Sequence, residues 1–97
     1  MVRPYEALYI VNPSLSDEEV EAIIEKYKAA VEAQGAEVES ASQWEKRRLA
    51  YEVKGQTEGT YVLMNFKATA EAASELDRLF RIADDILRHI IVRTDEK

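Results

Sequence analysis

The sequence of 97 residues has no cysteine, one histidine, three glycines and two prolines. Without cysteine, the chain cannot form a disulfide framework or a thiolate zinc site. The single histidine, His89, has no second imidazole to share a metal ion, and a lone histidine in an apolar strand is more often packed than a ligand. The sequence therefore predicts no metal site.

Motifs for catalysis and nucleotide binding are also missing. The three glycines, Gly35, Gly55 and Gly59, do not form a phosphate-binding loop or a dinucleotide fingerprint. No serine or cysteine nucleophile motif accompanies the histidine, and the many carboxylates carry no sign of the burial that an acid–base pair needs. We therefore expect no enzyme, no cofactor and no small-molecule substrate.

Long apolar runs are absent as well. No stretch approaches the roughly 18 apolar residues of a membrane span, and Glu6 interrupts the N-terminus before a signal-peptide core develops. We expect a cytoplasmic protein without a membrane partner.

The length of the chain sets the number of domains. Because 97 residues suffice for one two-layer core but not for two, residues 1–97 are expected to form a single domain.

Charge is unevenly distributed along the chain. The net charge of −6 lies in residues 1–43, since acidic and basic residues balance over 44–97. This excess of negative charge argues against a protein that coats nucleic acid indiscriminately, because such binding requires cations that neutralise phosphates. Three consecutive cations, Lys46 to Arg48, nevertheless stand between Trp44 and Tyr51. The run is either a solvated strand edge or a phosphate contact, and the flanking aromatics, which can stack on bases, favour the contact.

Hydrophobic periodicity predicts six elements. The clearest is a helix whose residues Val20, Ile24, Tyr27 and Val31 recur at helical spacing. The elements, in order, are a strand over Tyr5–Val11, a helix from the Ser16–Glu19 capping box to Gly35, a strand over Ala36–Val53 that bends near Gln43–Arg47, a turn over Gly55–Gly59, a strand over Thr60–Ala68, a helix that starts at the Thr69 cap and is broken at Asp84-Asp85, and a strand over Ile86–Thr94.

The order βαββαβ predicts a ferredoxin-like split βαβ fold of the α+β class. Its four-stranded antiparallel sheet carries both helices on one face, towards which Val62, Met64 and Phe66 should point. The other face has no cover. Its apolar side chains either form a partner surface or are the isolated apolar residues that an exposed sheet face ordinarily carries. This open face is expected to carry Glu6, Leu8, Ile10, Tyr61, Leu63 and Asn65.

Short motifs that match one protein family are spread along essentially the whole chain. They are Tyr5-Glu6 in a strand that ends at Asn12-Pro13, Trp44 before Lys46-Arg47-Arg48-Leu49-Ala50-Tyr51, Glu58-Gly59, Glu75-Leu76 with Arg78, and Ile86-Leu87-Arg88 in a strand that ends at Val92-Arg93. Together they resemble the bacterial small-subunit ribosomal protein six family. The chain departs from the usual family pattern at Glu45, where glycine is common, and at Glu52, where many members have proline.

The resemblance implies a structural, non-catalytic component of the ribosome. It would bind the central domain of small-subunit ribosomal RNA, paired with ribosomal protein eighteen of the small subunit as a heterodimer. Trp44 and Tyr51 fit partner binding or core packing. By position in the family motifs, the predicted RNA-binding residues are Arg3, Tyr5, Lys46, Arg47, Arg48 and Arg88, and the predicted partner-binding residues are Trp44, Tyr51 and Leu63.

Other functions are known for ferredoxin-like domains. An acyl-phosphate hydrolase needs an arginine in the loop after strand one, and Asn12–Ser16 has none. A generic RNA-recognition domain needs its glycine-aromatic motif on a central strand, and the residues around Lys67 do not supply it. A regulatory or dimerisation module without RNA binding therefore stays as the alternative.

Overall fold

The computed structural model describes residues 1–95 and shows one antiparallel sheet with strand order β2-β3-β1-β4. This topology confirms the predicted ferredoxin-like βαββαβ fold. The sequence also predicts a short polar tail, Asp95-Glu96-Lys97, of which the last two residues lie outside the described range. The elements are β1 (Arg3–Val11), α1 (Asp17–Glu32), β2 (Glu37–Val53), β3 (Gln56–Ala68), α2 (Ala70–Ile82) and β4 (Ile86–Arg93).

Both helices begin at the predicted caps. The Ser16 hydroxyl accepts a hydrogen bond from the Glu19 amide at 3.2 Å, and the Glu19 carboxylate accepts one from the Ser16 amide at 3.0 Å. Thr69 caps α2 by accepting from the Ala72 amide at 3.2 Å. These bonds satisfy amides that have no partner within the helix. In the part of the chain that the structure describes, no helix is long and apolar enough to cross a membrane.

The core lies between the helices and one face of the sheet. Tyr9, Tyr27 and Phe80 form an aromatic group with ring centroids 4.8 to 5.7 Å apart. Ile24, at the centre of the predicted α1 stripe, is 1% exposed. The three β3 residues predicted to face the helices are completely buried, which confirms that register. They are Val62, Met64 and Phe66.

The predicted turn over Gly55–Gly59 is wrong. The hairpin turns through two residues, Lys54 and Gly55, whose φ angles are +51° and +79°. Two positive φ values are characteristic of a tight two-residue hairpin turn, and glycine accommodates one without strain. Gly59 instead lies inside β3, where a Cβ atom would be 2.2 Å from Cγ2 of Ile10. Close packing between strands, not a turn, requires that glycine.

Strand β2 is irregular at the predicted bend. Its pairing with β3 runs from Gln43 directly to Glu45, so Trp44 is an extra residue that bulges out of the ladder. Further along, the four residues between Arg48 and Val53 lie opposite a single residue of β3. We call this stretch, 49–52, the β2 arch. Bulges of this kind bend a strand and redirect its side chains.

The face away from the helices is only partly open. Ile10 was predicted to be exposed there, but it is 8% exposed and packs with Leu49 and Leu87 in a small second core. The β2 arch supplies Leu49, which covers this end of the sheet. Leu8 and Leu63, further along the same face, remain half-buried.

Candidate partner and nucleic-acid interface

Cross-strand pairing gathers apolar side chains on the open face. Leu8 lies opposite Leu63 on one side and Ile90 on the other, and directly opposite residues point to the same face. The next position along the face on β4 is Val92. Ile90 and Val92 are 55% and 42% exposed. We call these four residues the open-face patch.

The bulge places an aromatic and cationic group at one end of the open face. The Arg47 guanidinium lies 4.5 Å from the Trp44 ring centroid and 5.9 Å from that of Tyr61. The two rings meet edge to face at 6.2 Å. Trp44 is 53% exposed, so core packing is the wrong interpretation of this residue. Trp44, Arg47 and Tyr61 form what we call the Trp44 cluster, and Arg47 is also ion-paired with Glu45.

A second cation–aromatic pair borders the open face. The Arg88 guanidinium lies 5.2 Å from the ring centroid of Tyr51, which belongs to the β2 arch. Tyr51 is 61% exposed, so core packing is wrong for this residue too. Beside the pair runs an open groove of about 270 Å³, whose lining includes Leu8 and Ile90 of the patch. The groove is therefore continuous with the open-face patch.

The strand splits the basic run between two faces. Arg47 lies opposite Gly59, on the face that carries Tyr61. Lys46 and Arg48 lie opposite Thr60 and Glu58, on the other face. All three cations are exposed. Among the described residues, only Arg47 of these three forms an ion pair. The run therefore presents cations around the β2 edge of the sheet and not on one flat surface.

The predicted N-terminal contacts lie elsewhere. Tyr5 stacks on Phe66 on the helix side of the sheet, with centroids 5.6 Å apart. Arg3 pairs with Asp95 at 3.4 Å, and Arg93 holds the same carboxylate at 3.1 Å. Arg3 and Tyr5 sit at the end of the β1–β3 ladder far from Gly59. The structure does not bring these two residues together with the basic run.

His89 is a packed residue, as predicted. Its Nε2 lies 2.7 Å from an Asp77 oxygen, and its ring is 5.1 Å from that of Phe80. On α2, Arg81 also donates to Asp77. Burial acts to raise the pKa of the Asp77 carboxyl, but the hydrogen bonds from His89 and Arg81 outweigh it and lower that pKa. Within residues 1–95, no group of acidic or histidine side chains is placed to hold a metal ion.

Three residues of the candidate interface were missing from the predicted site. Ile90 and Val92 were treated only as part of an apolar strand, although their alternation with Arg93 and Ile91 puts both on one face. Tyr61 was assigned to the open face but not to the site. Its contact with Trp44 depends on the bulge, which the β2 sequence alone does not locate.

Comparison with known proteins identifies the family. Residues 4–93 match the family described as ribosomal protein S6. The chain belongs to the ribosomal protein S6 family. A small ribosomal subunit protein bS6 from Carboxydothermus hydrogenoformans is 54% identical and aligns with 99% of this chain and 100% of its own length. Another bS6, from Desulforamulus reducens, is 52% identical over 98% of this chain and all of its own.

A solved structure of an S6 protein supports the same assignment. The crystal structure of 30S ribosomal protein S6 from Thermotoga maritima superimposes with a TM-score of 0.87 at 28% identity. The match covers 96% of this chain and 88% of that one. The S6 family consists of ribosomal proteins of the small subunit, not of enzymes, so the predicted family and the predicted non-enzymatic class are confirmed.

Proposed function

We propose that this S6-family protein binds the central domain of small-subunit ribosomal RNA as a heterodimer with ribosomal protein eighteen. The observation that carries the proposal is the arrangement of the open face. The apolar open-face patch, of which Ile90 and Val92 are exposed, lies beside Arg47 and Arg88 at one end of the face, and each arginine is stacked on an exposed aromatic ring. Such a surface combines an apolar patch with two cation–aromatic pairs at one end.

The open-face patch is the proposed partner surface. Contiguous exposed apolar side chains on a small protein mark interaction sites, and aromatic residues and arginine are enriched at the centres of protein interfaces. Leu63 lies within the patch, while Trp44 and Tyr51 stand at its borders, more than half exposed. These three predicted partner-binding residues thus adjoin one surface, and we propose that they contact ribosomal protein eighteen.

The β2 edge is the proposed RNA surface. Lys46 and Arg48 are exposed on one side of the strand, and Arg47 lies on the other. Phosphate contacts from this edge would position the RNA. Because the chain carries a net charge of −6, a basic partner would supply most of the phosphate affinity. Arg88 lies closer to the proposed partner surface. To contact Arg88, RNA would have to reach past the bound partner.

The N-terminal residues fit this proposal less directly. Arg3 already holds Asp95, and Tyr5 is stacked against Phe66. Both lie at the end of the ladder away from the basic run. If they contact RNA, the contact must involve a second stretch of the nucleic acid and the release of the Arg3 ion pair.

Sedimentation with purified ribosomal protein eighteen tests the partner surface, using two isoleucines in a matched comparison. Ile90 on the open face is 55% exposed and Ile82 at the end of α2 is 65% exposed. We expect the parent and Ile82→Asp to form a one-to-one heterodimer, and Ile90→Asp to fail to form it. Equal binding by both variants would contradict the proposed surface.

The same experiment tests the alternative function. Strand β4 is an edge strand that exposes Ile90 and Val92, and unprotected edges with apolar residues also favour self-association. A stable homodimer that Ile90→Asp dissociates, with no binding of ribosomal protein eighteen by the parent, would indicate a dimerisation module instead.

A further inference from the structure

Arg47 is the one cation of the basic run that belongs to the Trp44 cluster, and it already has an acidic partner, Glu45. Glu45 and Arg47 are two residues apart on β2, so they share a face of the strand, and the Arg47 Nε donates to the Glu45 carboxylate. Their side chains are 43% and 49% exposed. Within the described residues, neither of the neighbouring cations, Lys46 and Arg48, has such an ion pair.

The ion pair is not needed to hold Arg47 in place. An exposed pair of this kind contributes little to folding, because water screens both charges. The indole of Trp44, 4.5 Å below the guanidinium, already orients it through a cation–π contact. Glu45 therefore adds a negative charge to a group whose position is fixed by the ring.

That negative charge lies where a bound anion would lie. A phosphate that accepts from the Arg47 Nε must displace the Glu45 carboxylate, which uses the same donor. After displacement, the carboxylate stays tethered two residues away on the same face, where it repels the phosphate over a distance shorter than the screening length.

We infer that Glu45 is an intramolecular competitor of RNA phosphate for Arg47. The inference rests on the proposed RNA-binding function and divides the basic run into two kinds of contact. Lys46 and Arg48 can bind phosphate with no carboxylate partner beside them among the described residues, whereas a phosphate at Arg47 must either displace the Glu45 carboxylate from Nε or bind the remaining guanidinium donors next to that negative charge. The competitor lowers the affinity of this chain for RNA and leaves the partner to supply more of the binding.

The test is RNA binding by the heterodimer with ribosomal protein eighteen, measured on a central-domain fragment of small-subunit ribosomal RNA over a salt series. Glu45→Gln should tighten binding roughly threefold to tenfold. It should also steepen the log–log salt dependence by up to about one unit, because Arg47 then fully neutralises a phosphate, which releases that phosphate's counterions. In an Arg47→Ala background, Glu45→Gln should change RNA affinity no more than the removal of a distant negative charge does.

Glu39→Gln is the matched control. Glu39 is an exposed glutamate on the same strand, so its replacement removes the same charge without freeing Arg47. We expect it to change binding by less than about twofold. Thermal melts of all variants check that each remains folded.

The outcomes separate this inference from the function on which it rests. If Arg47→Ala leaves RNA binding unchanged even in the Glu45→Gln background, the proposed role of Arg47 in RNA binding fails. If Arg47→Ala weakens binding but Glu45→Gln binds no tighter than Glu39→Gln, the competitor is wrong while the RNA contact stands. Weaker binding by Glu45→Gln would likewise overturn the inference, and would mean that Glu45 orients Arg47 for the phosphate.

Discussion

Gly59 of β3 lies directly against Ile10 of β1, so that a Cβ atom on the glycine would be 2.2 Å from the isoleucine Cγ2. No pair of nonbonded carbon atoms approaches so closely, and both residues are buried. We therefore expect Gly59→Ala to destabilise the protein by about 1 to 3 kcal/mol through overpacking. The free energy of unfolding in a urea titration measures this effect.

A double-mutant cycle with Ile10→Ala isolates the contact. Ile10→Ala removes Cγ2, so Gly59→Ala should cost less in that background than in the parent. Identical costs in the two backgrounds would show that the glycine is required for some other reason, such as its backbone conformation.

The register of α1 gives a second prediction. Ile24 is 1% exposed against the sheet, and the adjacent Glu25 is on the solvent side. Ile24→Ala should lower the free energy of unfolding by about 2 to 5 kcal/mol because it leaves a cavity, whereas Glu25→Ala should stay within about 0.5 kcal/mol. Similar effects of the two substitutions in a denaturant titration would rule out this register.

The carboxyl group of Asp77 gives a prediction for acid. Its pKa is lowered in the folded protein, where burial is outweighed by hydrogen bonds from His89 and Arg81. A lowered folded pKa means that the stabilisation is fully present above the unfolded pKa, about 4, and is lost as the pH falls through the folded value. The difference in unfolding free energy between the parent and Asp77→Asn should therefore shrink as the pH falls below about 5 and through the folded pKa.

Urea titrations at a series of pH values measure that difference. Other carboxyl groups with lowered pKa values, those of Glu75 and Asp95, are present in both proteins and cancel. A difference that stays constant over the acid range would mean that folding does not lower the pKa of Asp77, and that its negative charge contributes nothing to stability.

Local signals in the sequence predicted the frame of the fold, and long-range contacts account for the errors. Ser16 and Thr69 were recognisable as caps because a cap depends on residues only three positions away. The role of Gly59 was misjudged because its close neighbour, Ile10, is on another strand. Ile10 was expected to be exposed because nothing in its own strand reveals that the β2 arch folds Leu49 over it.

The candidate site, too, was predicted where it depends on residue type and missed where it depends on contacts between strands. The sequence identified the cations and aromatics of the basic segment, which are distinctive as residue types. It did not show which face of the sheet Arg47 occupies, because the bulge at Trp44 sets the face on which each later residue of the strand lies. The exposure of Trp44 also follows from the bulge, which is set by pairing with β3 and not by the residue itself.

The most direct test of the account is the salt dependence of RNA binding when the basic run is shortened. Arg47 and Arg48 would be replaced together by Ala, and the heterodimer with ribosomal protein eighteen would be titrated with a central-domain RNA fragment. The matched control replaces Arg78 and Arg81 by Ala. These exposed arginines of α2 lie outside the proposed interface and carry the same charge.

We expect the Arg47/Arg48 variant to bind RNA more weakly than the control and with a log–log salt slope flatter by about one to two units, one for each phosphate that an arginine no longer neutralises. Its thermal midpoint should stay near that of the parent, because exposed cations contribute little to folding. An affinity and a slope equal to those of the Arg78/Arg81 variant would contradict the account, since the basic run would then be only a solvated edge of the sheet.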